Sequence, residues 1–215
     1  SAFGHQALSS NTAGFNTAIG YFSLNANTAG VANTATGYRS LPANTTANFN
    51  VAYGYHSLNA NTTGANNVAI GSSSLAANTT ASYNTAVGHT SLRDNTTGVS
   101  NTAVGFAALI FNTTGIDNTA VGQSTLYSNT TGGSNSAFGF EALKFNTTGI
   151  NNTAVGTTAM YLNTTGNNNS ALGSAALRTN TTGSYNVASG VQSLYVNSTG
   201  SYNVAAGWSA LFRNT

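Results

Sequence analysis

The sequence predicts an all-β protein, a parallel β-solenoid (β-roll) of about 13 coils with a 17-residue repeat in each coil. Residues 101–117 read NTAVGFAALIFNTTGID, and residues 118–134 read NTAVGQSTLYSNTTGGS. The same spacing continues through almost the whole chain, as it does in proteins whose short units stack on one another. Inside each unit the pattern has period two and contains Gly, which favours short strands over helix.

We number the repeat positions one to seventeen from the Asn of NTAVG. Position three is Ala and position five is Gly in every unit, position nine is Leu except for Met160, and position twelve is Asn. The first corner is one residue shorter, because Asn11 and Asn27 lie 16 residues apart. Like residues are predicted to form structural columns, represented by Gly88, Gly105 and Gly122, by Leu92, Leu109 and Leu126, and by Ala86, Ala103 and Ala120.

The elements of one unit follow in order along residues 101–117. Positions two to four, such as Thr102 and Val104 on either side of a small Ala, are predicted to form a strand that ends at the Gly. A second short strand is predicted over residues 107–110, with Leu109 pointing to one side. The Asn-Thr-Thr-Gly that follows is predicted to turn because Asn tolerates left-handed backbone and Gly supplies positive φ.

Stacked coils place parallel strands about 4.8 Å apart, so that identical residues meet along the rod. The Asn residues at positions one and twelve are therefore predicted to form amide ladders, in which each side chain bonds to those above and below. This explains the high Asn content without a catalytic role.

The core of such a coil is predicted to be thin, with one Val or Ile, one Leu and one Thr or Val in each interior. Small cores need further support, and the chain has no cysteine for a disulfide. We therefore expect the rows of small residues at positions three and eight to line an axis shared by parallel copies. The predicted assembly is a side-by-side homotrimer.

Composition excludes several function classes. Charged residues are 4% of the chain, against roughly 25% in ordinary soluble proteins, and the net charge is +2. So few charges predict no nucleic-acid partner, and no apolar run approaches the roughly 20 residues that span a bilayer. Residues 1–215 are predicted to form a single repeat domain, a window from a longer fibrous polypeptide, because the chain begins and ends inside a repeat.

The motif NTAVG at residues 84–88 and the related NVAIG at residues 67–71 resemble the NSVAIG motif of trimeric autotransporter adhesin heads, the YadA-like heads. The NTAVG…NTTG pattern is also similar to repeats of bacterial surface proteins and phage tail fibres. The resemblance covers essentially the whole chain and implies left-handed parallel β-rolls, three chains side by side. The 17-residue period is longer than the unit of typical YadA-like heads, and the NTTG corner is longer too.

No residue pattern predicts catalysis, a metal site or a cofactor. The acids Asp94, Asp117 and Glu141 lie on different coils, so no two are placed as a general acid and base. His5 and His89 share position six but lie five coils apart, and His56 lies between them in sequence. A trimer would bring copies of one His together at its axis, where an ion could bind, although solvent-facing His is the simpler interpretation.

The sequon Asn-x-Ser/Thr recurs at position twelve and makes N-glycosylation a candidate modification. The candidate residues are Asn44, Asn61, Asn78, Asn95, Asn112, Asn129, Asn146, Asn163, Asn180 and Asn197. Asn151 and Asn168 also fit the sequon. Plain turn chemistry explains the position-twelve pattern more simply, and we favour it.

Aromatic residues recur at positions six, ten and seventeen, as in Tyr38, Tyr161 and Tyr202. They are expected either to cover seams between chains or, if exposed, to bind carbohydrate. The predicted function is a structural and adhesive fibre segment of a bacterial surface appendage or phage tail, extracellular or on a cell surface or virion tail. Its predicted partners are further copies of itself and host surfaces or glycans. The alternatives are an ice-binding solenoid and a glycosylated extracellular filament scaffold; an enzyme on this frame would need clustered acids or bases.

Overall fold

A computed structural model describes residues 1–214 as one stack of coils, with a single short strand in each. All 13 strands pair in parallel and in sequence order within one sheet. No helix among the described residues is long and apolar enough to cross a membrane. The strands are β1 Ala2–Phe3, β2 Thr17–Ile19, β3 Thr34–Thr36, β4 Val51–Tyr53, β5 Val68–Ile70, β6 Thr85–Val87, β7 Thr102–Val104, β8 Thr119–Val121, β9 Ser136–Phe138, β10 Thr153–Val155, β11 Ser170–Leu172, β12 Val187–Ser189 and β13 Val204–Ala206.

The strand register follows the repeat. In β7 and β8, Thr102 pairs with Thr119, and Ala103 pairs with Ala120. The short first corner leaves this intact, because Ala2 still pairs with Ala18 across 16 residues. The predicted parallel solenoid and its 17-residue step are therefore confirmed.

The strand faces are the reverse of what the sequence suggested. Ala103 at position three is fully buried, whereas Thr102 and Val104 beside it are partly exposed. The interior also holds position eight, as in Ala108, and position nine, as in Leu109. A coil this narrow that already contains a Leu has room for methyl groups opposite it, so the small residue points inward. The Ala rows thus build the core of one chain, and the prediction that they line an axis between chains is wrong.

Position five needs Gly for two reasons. Gly105 has φ 135°, a backbone conformation that side chains disfavour. A Cβ there would also lie 2.5 Å from the carbonyl oxygen of Gly122 in the next coil. The Gly column, which includes Gly88, Gly105 and Gly122, therefore sets how closely successive coils approach.

The predicted second strand over residues 107–110 is absent and the segment is a series of turns. Ala108 and Leu109 are both fully buried, which the alternating side chains of a strand do not permit. The backbone satisfies both by entering the left-handed region at Ala107 (φ 55°) and again at Leu109 (φ 51°). Backbone hydrogen bonds still join the coils here, as from Leu109 N–H to the carbonyl of Thr125 at 3.0 Å.

The Asn-Thr-Thr-Gly corner forms, but for a different reason from the one predicted. Neither Asn112 nor Gly115 has positive φ; in this part of the coil the left-handed residue is Asp117 at position seventeen (φ 57°). Gly115 is required by space, since a Cβ would collide with Asn112 Oδ1 and with the carbonyl of Gly132 in the next coil.

The predicted Asn ladders are confirmed, and each has its own geometry. At position twelve, Asn112 Nδ2 donates to Asn95 Oδ1 at 2.8 Å and to the carbonyl of Gly115 at 3.0 Å. At position one, the Asn101 backbone N–H donates to Asn84 Oδ1 at 2.9 Å, and its Nδ2 also reaches the Gly115 carbonyl at 2.8 Å. One corner carbonyl therefore satisfies two buried amides, which lets a polar column lie inside the fold.

Candidate functional site

Within residues 1–214, the acidic, basic and histidine side chains are spread along the outside of the coils. In residues 1–214 no three His, Cys, Asp or Glu side chains form a group that could hold a metal ion. Asp94 is bound by Arg93 through contacts of 2.6 and 2.7 Å. Glu141 is bound by Lys144 at 2.6 Å. These hydrogen bonds to carboxylates raise the pKa of both cations, which stabilises the charged pairs.

The three histidines lie in surface aromatic stacks. His5 stacks on Tyr21 with ring centroids 5.3 Å apart, and His89 stacks on Phe106 at 5.6 Å. His56 at position seven lies against Tyr55 at 4.2 Å. Burial, and secondly the positive charge of Arg39, lowers the pKa of His56. No two histidines stack on each other, so any ion at a shared axis would need further chains.

The ten candidate glycosylation residues at position twelve are all fully buried. They are Asn44, Asn61, Asn78, Asn95, Asn112, Asn129, Asn146, Asn163, Asn180 and Asn197. Each Nδ2 donates within the ladder, so a sugar on it would remove those bonds and would have no space. The geometry therefore weighs against glycosylation there in the folded chain. The sequons at Asn151 and Asn168 are exposed and do not have this obstacle.

Two of the three predicted structural columns lie in the interior, and the Gly column is half-buried. The Leu column with Leu92, Leu109 and Leu126 and the Ala column with Ala86, Ala103 and Ala120 are fully buried. They position the outer residues at one coil spacing but offer no surface of their own. Three outer surfaces, the strand face, the corner stripe and the Thr columns, are defined below by repeat position.

The strand face consists of positions two and four on the outer side of the sheet. Its position-four side chains are mostly apolar, and Tyr53, Phe138 and Leu172 are among those exposed, whereas position two is Thr or Ser in most coils. Position six forms an edge beside it, where Tyr21, Tyr38 and Tyr55 stack at 5.3 and 5.5 Å. Sequence reasoning assigned the strand face to the core and so missed it as a surface.

The corner stripe consists of positions ten and eleven. In the C-terminal half, cations alternate with aromatic rings along it. Arg178 lies between Tyr161 and Tyr195, with its guanidinium 4.9 and 5.7 Å from the two ring centroids. Lys144 is likewise within 5.9 Å of Tyr127. Through these cation–π contacts the side chains of adjacent coils pack against one another and cover the backbone of the corner.

The Thr columns consist of positions thirteen and fourteen. The Thr113 hydroxyl donates to the carbonyl of Thr130 in the next coil at 3.0 Å, and the same bond recurs along position thirteen. Position fourteen is an exposed Thr in ten successive coils. These residues are Thr46, Thr63, Thr80, Thr97, Thr114, Thr131, Thr148, Thr165, Thr182 and Thr199.

A groove of about 370 Å³ opens in the corner stripe near the N-terminal end. Its lining includes Phe22, Arg39, Pro42, Ala43 and Asn59. It exists because position eleven is Ala in these coils, whereas Phe111 and Phe145 fill the same position further along. Sequence reasoning missed the groove, although two signals were present: the only proline of the chain and the run of small residues at position eleven.

Comparisons of the chain with protein-family models, with curated proteins and with solved structures found no match in any of the three.

Proposed function

We propose that this chain is a rigid segment of an extracellular fibre, of the kind found in bacterial surface appendages or phage tails. The observation that carries the proposal is the unbroken register of 13 parallel strands, reinforced by two buried Asn ladders. Coils stacked about 4.8 Å apart give a rod about 60 Å long, which holds whatever lies at its ends at a fixed distance. This function is mechanical and adhesive and involves no chemical reaction.

Small-angle X-ray scattering and electron microscopy of the purified chain test the rod. The expected particle is a rod about 60 Å long, or a whole multiple of that length, and its cross-section does not change along the axis. A compact particle with no long axis would overturn the proposal.

We further propose that parallel copies associate through the strand face, as homotrimers or filaments. The position-four column of the strand face is mostly apolar and repeats at the same interval in every copy, so two rods in register match along their whole length. A buried apolar interface of this kind supplies the support that a thin core lacks. The motif resemblance to trimeric adhesin heads favours three chains.

Sedimentation of the wild-type chain and of variants tests the association. Phe138→Lys introduces a charge into the strand face, while Thr97→Lys introduces the same charge on the Thr columns. Phe138→Lys is expected to shift the assembly toward monomer, and Thr97→Lys is expected to leave it unchanged. An equal effect of both, or a monomeric wild-type chain, would contradict the assignment of the interface.

A second candidate function, ice binding, is favoured by the exposed Thr column at position fourteen. Ten hydroxyls at one regular spacing give a surface on which water can order. Thermal hysteresis of the wild-type chain measures this directly, with a Thr114→Lys variant as the comparison. Activity that disappears in Thr114→Lys would establish ice binding, and the absence of hysteresis in the wild-type chain would remove it.

A further inference from the structure

The groove begins with a break in the backbone ladder at the only proline of the chain. In neighbouring coils the position-eleven N–H donates to the position-ten carbonyl of the next coil, as from Ala26 to Pro42 and from Ala60 to Ala76, both at 3.0 Å. The equivalent bond from Ala43 to Asn59 is not formed in the described coils. A backbone donor and a backbone acceptor at the groove are therefore left without their usual partners.

Two side chains at the groove also have unused hydrogen-bonding capacity. Asn59 Oδ1 is buried and has no hydrogen-bond partner, which is rare enough in folded proteins to need an explanation. Arg39 is exposed and forms no ion pair within residues 1–214. The groove thus combines a cation with an unsatisfied acceptor.

The groove lining also includes two apolar side chains, Phe22 and Pro42. Its volume of about 370 Å³ falls in the range of sites that bind small molecules. A ligand that fits must present an anion, hydroxyl donors and an apolar face within a small volume.

We propose that this groove binds one carboxylated sugar residue of an acidic polysaccharide. The carboxylate would pair with the guanidinium of Arg39, a charge-assisted interaction that Arg geometry suits. Asn59 Oδ1 is enclosed in the free chain, so the Asn59 side chain would turn toward the groove to accept a hydrogen bond from a sugar hydroxyl, which would remove the desolvation cost of that oxygen. The C–H face of the pyranose ring would lie against the Phe22 ring.

The charge and size of the groove favour this ligand class over others. One unpaired guanidinium matches one carboxylate, whereas a polyphosphate would need several cations. A sugar ring combines a hydroxyl edge with an apolar face, which is the combination that Asn59 and Phe22 present. The assignment rests on the proposed adhesive function, since it names the ligand class that the fibre would recognise.

Titration of the full chain with two acidic probes tests the proposal. The probes are a tetrasaccharide of alternating glucuronate and N-acetylglucosamine and a sialylated trisaccharide, each compared with its neutral methyl ester. Calorimetry gives the affinity, and amide shifts in NMR spectra locate the site. Saturable binding with shifts at Ala43 and Asn59 is expected for at least one acidic probe, and the ester should bind more weakly.

Three variants separate the groove from general charge effects. Arg39→Gln is expected to weaken binding of the acidic probe at least tenfold, about 1.4 kcal/mol, and to leave binding of the ester unchanged. Asn59→Leu is expected to weaken the binding of both the acidic probe and its ester. Arg178→Gln is the matched control, because Arg178 has no carboxylate partner within the described residues but lies outside the groove.

The proposal is overturned if neither acidic probe binds saturably, if the shifts lie elsewhere, or if Arg178→Gln weakens binding as much as Arg39→Gln. Circular dichroism of each variant shows whether its coils remain folded, and an unfolded Asn59→Leu is replaced by Asn59→Ser. Failure of sugar binding would leave the rod measured by scattering intact, so the two proposals fail separately.

Discussion

The four coils of residues 16–83 and the coils of residues 84–214 share one interior and differ at the corner stripe. In the first region position eleven is always Ala, and position ten is Asn, Pro or Ala. In the second region the same two positions carry mostly larger aromatic, aliphatic or charged residues, including Lys144, Phe145 and Arg178. The first region has a groove where the second has a filled surface.

This difference shows which positions the stack constrains. Positions one, three, five, nine and twelve carry the same residue type in both regions, because each residue contacts the equivalent residue of the next coil. The corner stripe contacts solvent on one side, so its composition changes without altering the 17-residue register. Function that varies between regions is therefore expected on outer positions.

The largest effect is expected from Ala at position five, and it should be equal in both regions. Gly54 and Gly139 have φ 133° and 128°, and in each a Cβ would lie 2.7 Å from the carbonyl oxygen of the next Gly. Neither backbone can move, since coils lie above and below. Gly54→Ala and Gly139→Ala are each expected to lower the free energy of unfolding by about 4 kcal/mol, as measured by chemical denaturation.

Gly14→Ala is the control for this pair, because a Cβ at Gly14 meets nothing within 4 Å. It should change the free energy of unfolding by less than about 0.5 kcal/mol. If Gly54→Ala were tolerated while Gly139→Ala unfolded the chain, the coils of the two regions would not have the same backbone geometry.

The next effect in size is expected from the position-twelve ladder. Asn61 Nδ2 donates to Asn44 Oδ1 at 3.1 Å, and Asn61 Oδ1 accepts from Asn78 Nδ2 at 2.9 Å; Asn146 makes the equivalent bonds at 2.8 Å each. Ala at either position leaves one buried amide oxygen without its donor and removes one of the two bonds donated by the Nδ2 of the next Asn. Each substitution should cost about 2–3 kcal/mol of unfolding free energy.

Gln123→Ala, at an exposed position, serves as the comparison and should be near neutral. Hydrogen exchange would show whether the loss at each Asn stays within adjacent coils. If the losses of unfolding free energy in Asn61→Ala and Asn146→Ala differed by more than about 1 kcal/mol, the ladder would be weaker in one region than in the other.

Sequence periodicity was enough to predict the parallel register, the strand at positions two to four and both Asn ladders, because these depend on like residues meeting like. It did not decide which strand face is interior. Alternation permits Ala103 or Val104 to point inward, and the choice depends on the space left beside Leu109. The exposed Val column and the buried Ala column follow from coil width, which no single unit reveals.

The groove could not be derived from the sequence for a related reason. Pro42 was visible as the only proline, but its effect on the bond from Ala43 to Asn59 depends on the coil stacked beside it. Local departures from a repeat point to candidate sites, and the geometry of the neighbouring coil decides what such a departure does.

A smaller effect is expected when the first region is given a residue of the second. Ala43→Phe places at position eleven the ring that Phe111 and Phe145 provide there, where each lies edge-on to a Tyr at 5.0 Å. The ring should fill the groove, bury apolar area and raise the free energy of unfolding by about 1 kcal/mol. Binding of the acidic probe should fall at least tenfold.

Ala77→Phe is the matched control for this substitution, because Ala77 occupies the same repeat position outside the groove lining. It is expected to leave sugar binding unchanged. Undiminished binding in Ala43→Phe would place the ligand elsewhere, whatever the change in stability.

The smallest effect is expected at His56, which lies against the ring of Tyr55 in the first region. Burial, and secondly Arg39, lowers the pKa of His56 from the ordinary value of 6.5. The unfolded chain therefore binds a proton at His56 more readily than the folded chain does, and the free energy of unfolding decreases as the pH falls below 6.5. Arg39→Gln removes the repulsive charge and should raise the pKa of His56 slightly, as NMR titration of its ring would show. An acidic sugar on Arg39 should shift His56 in the same direction, and an unchanged His56 in Arg39→Gln would mean that burial alone sets its pKa.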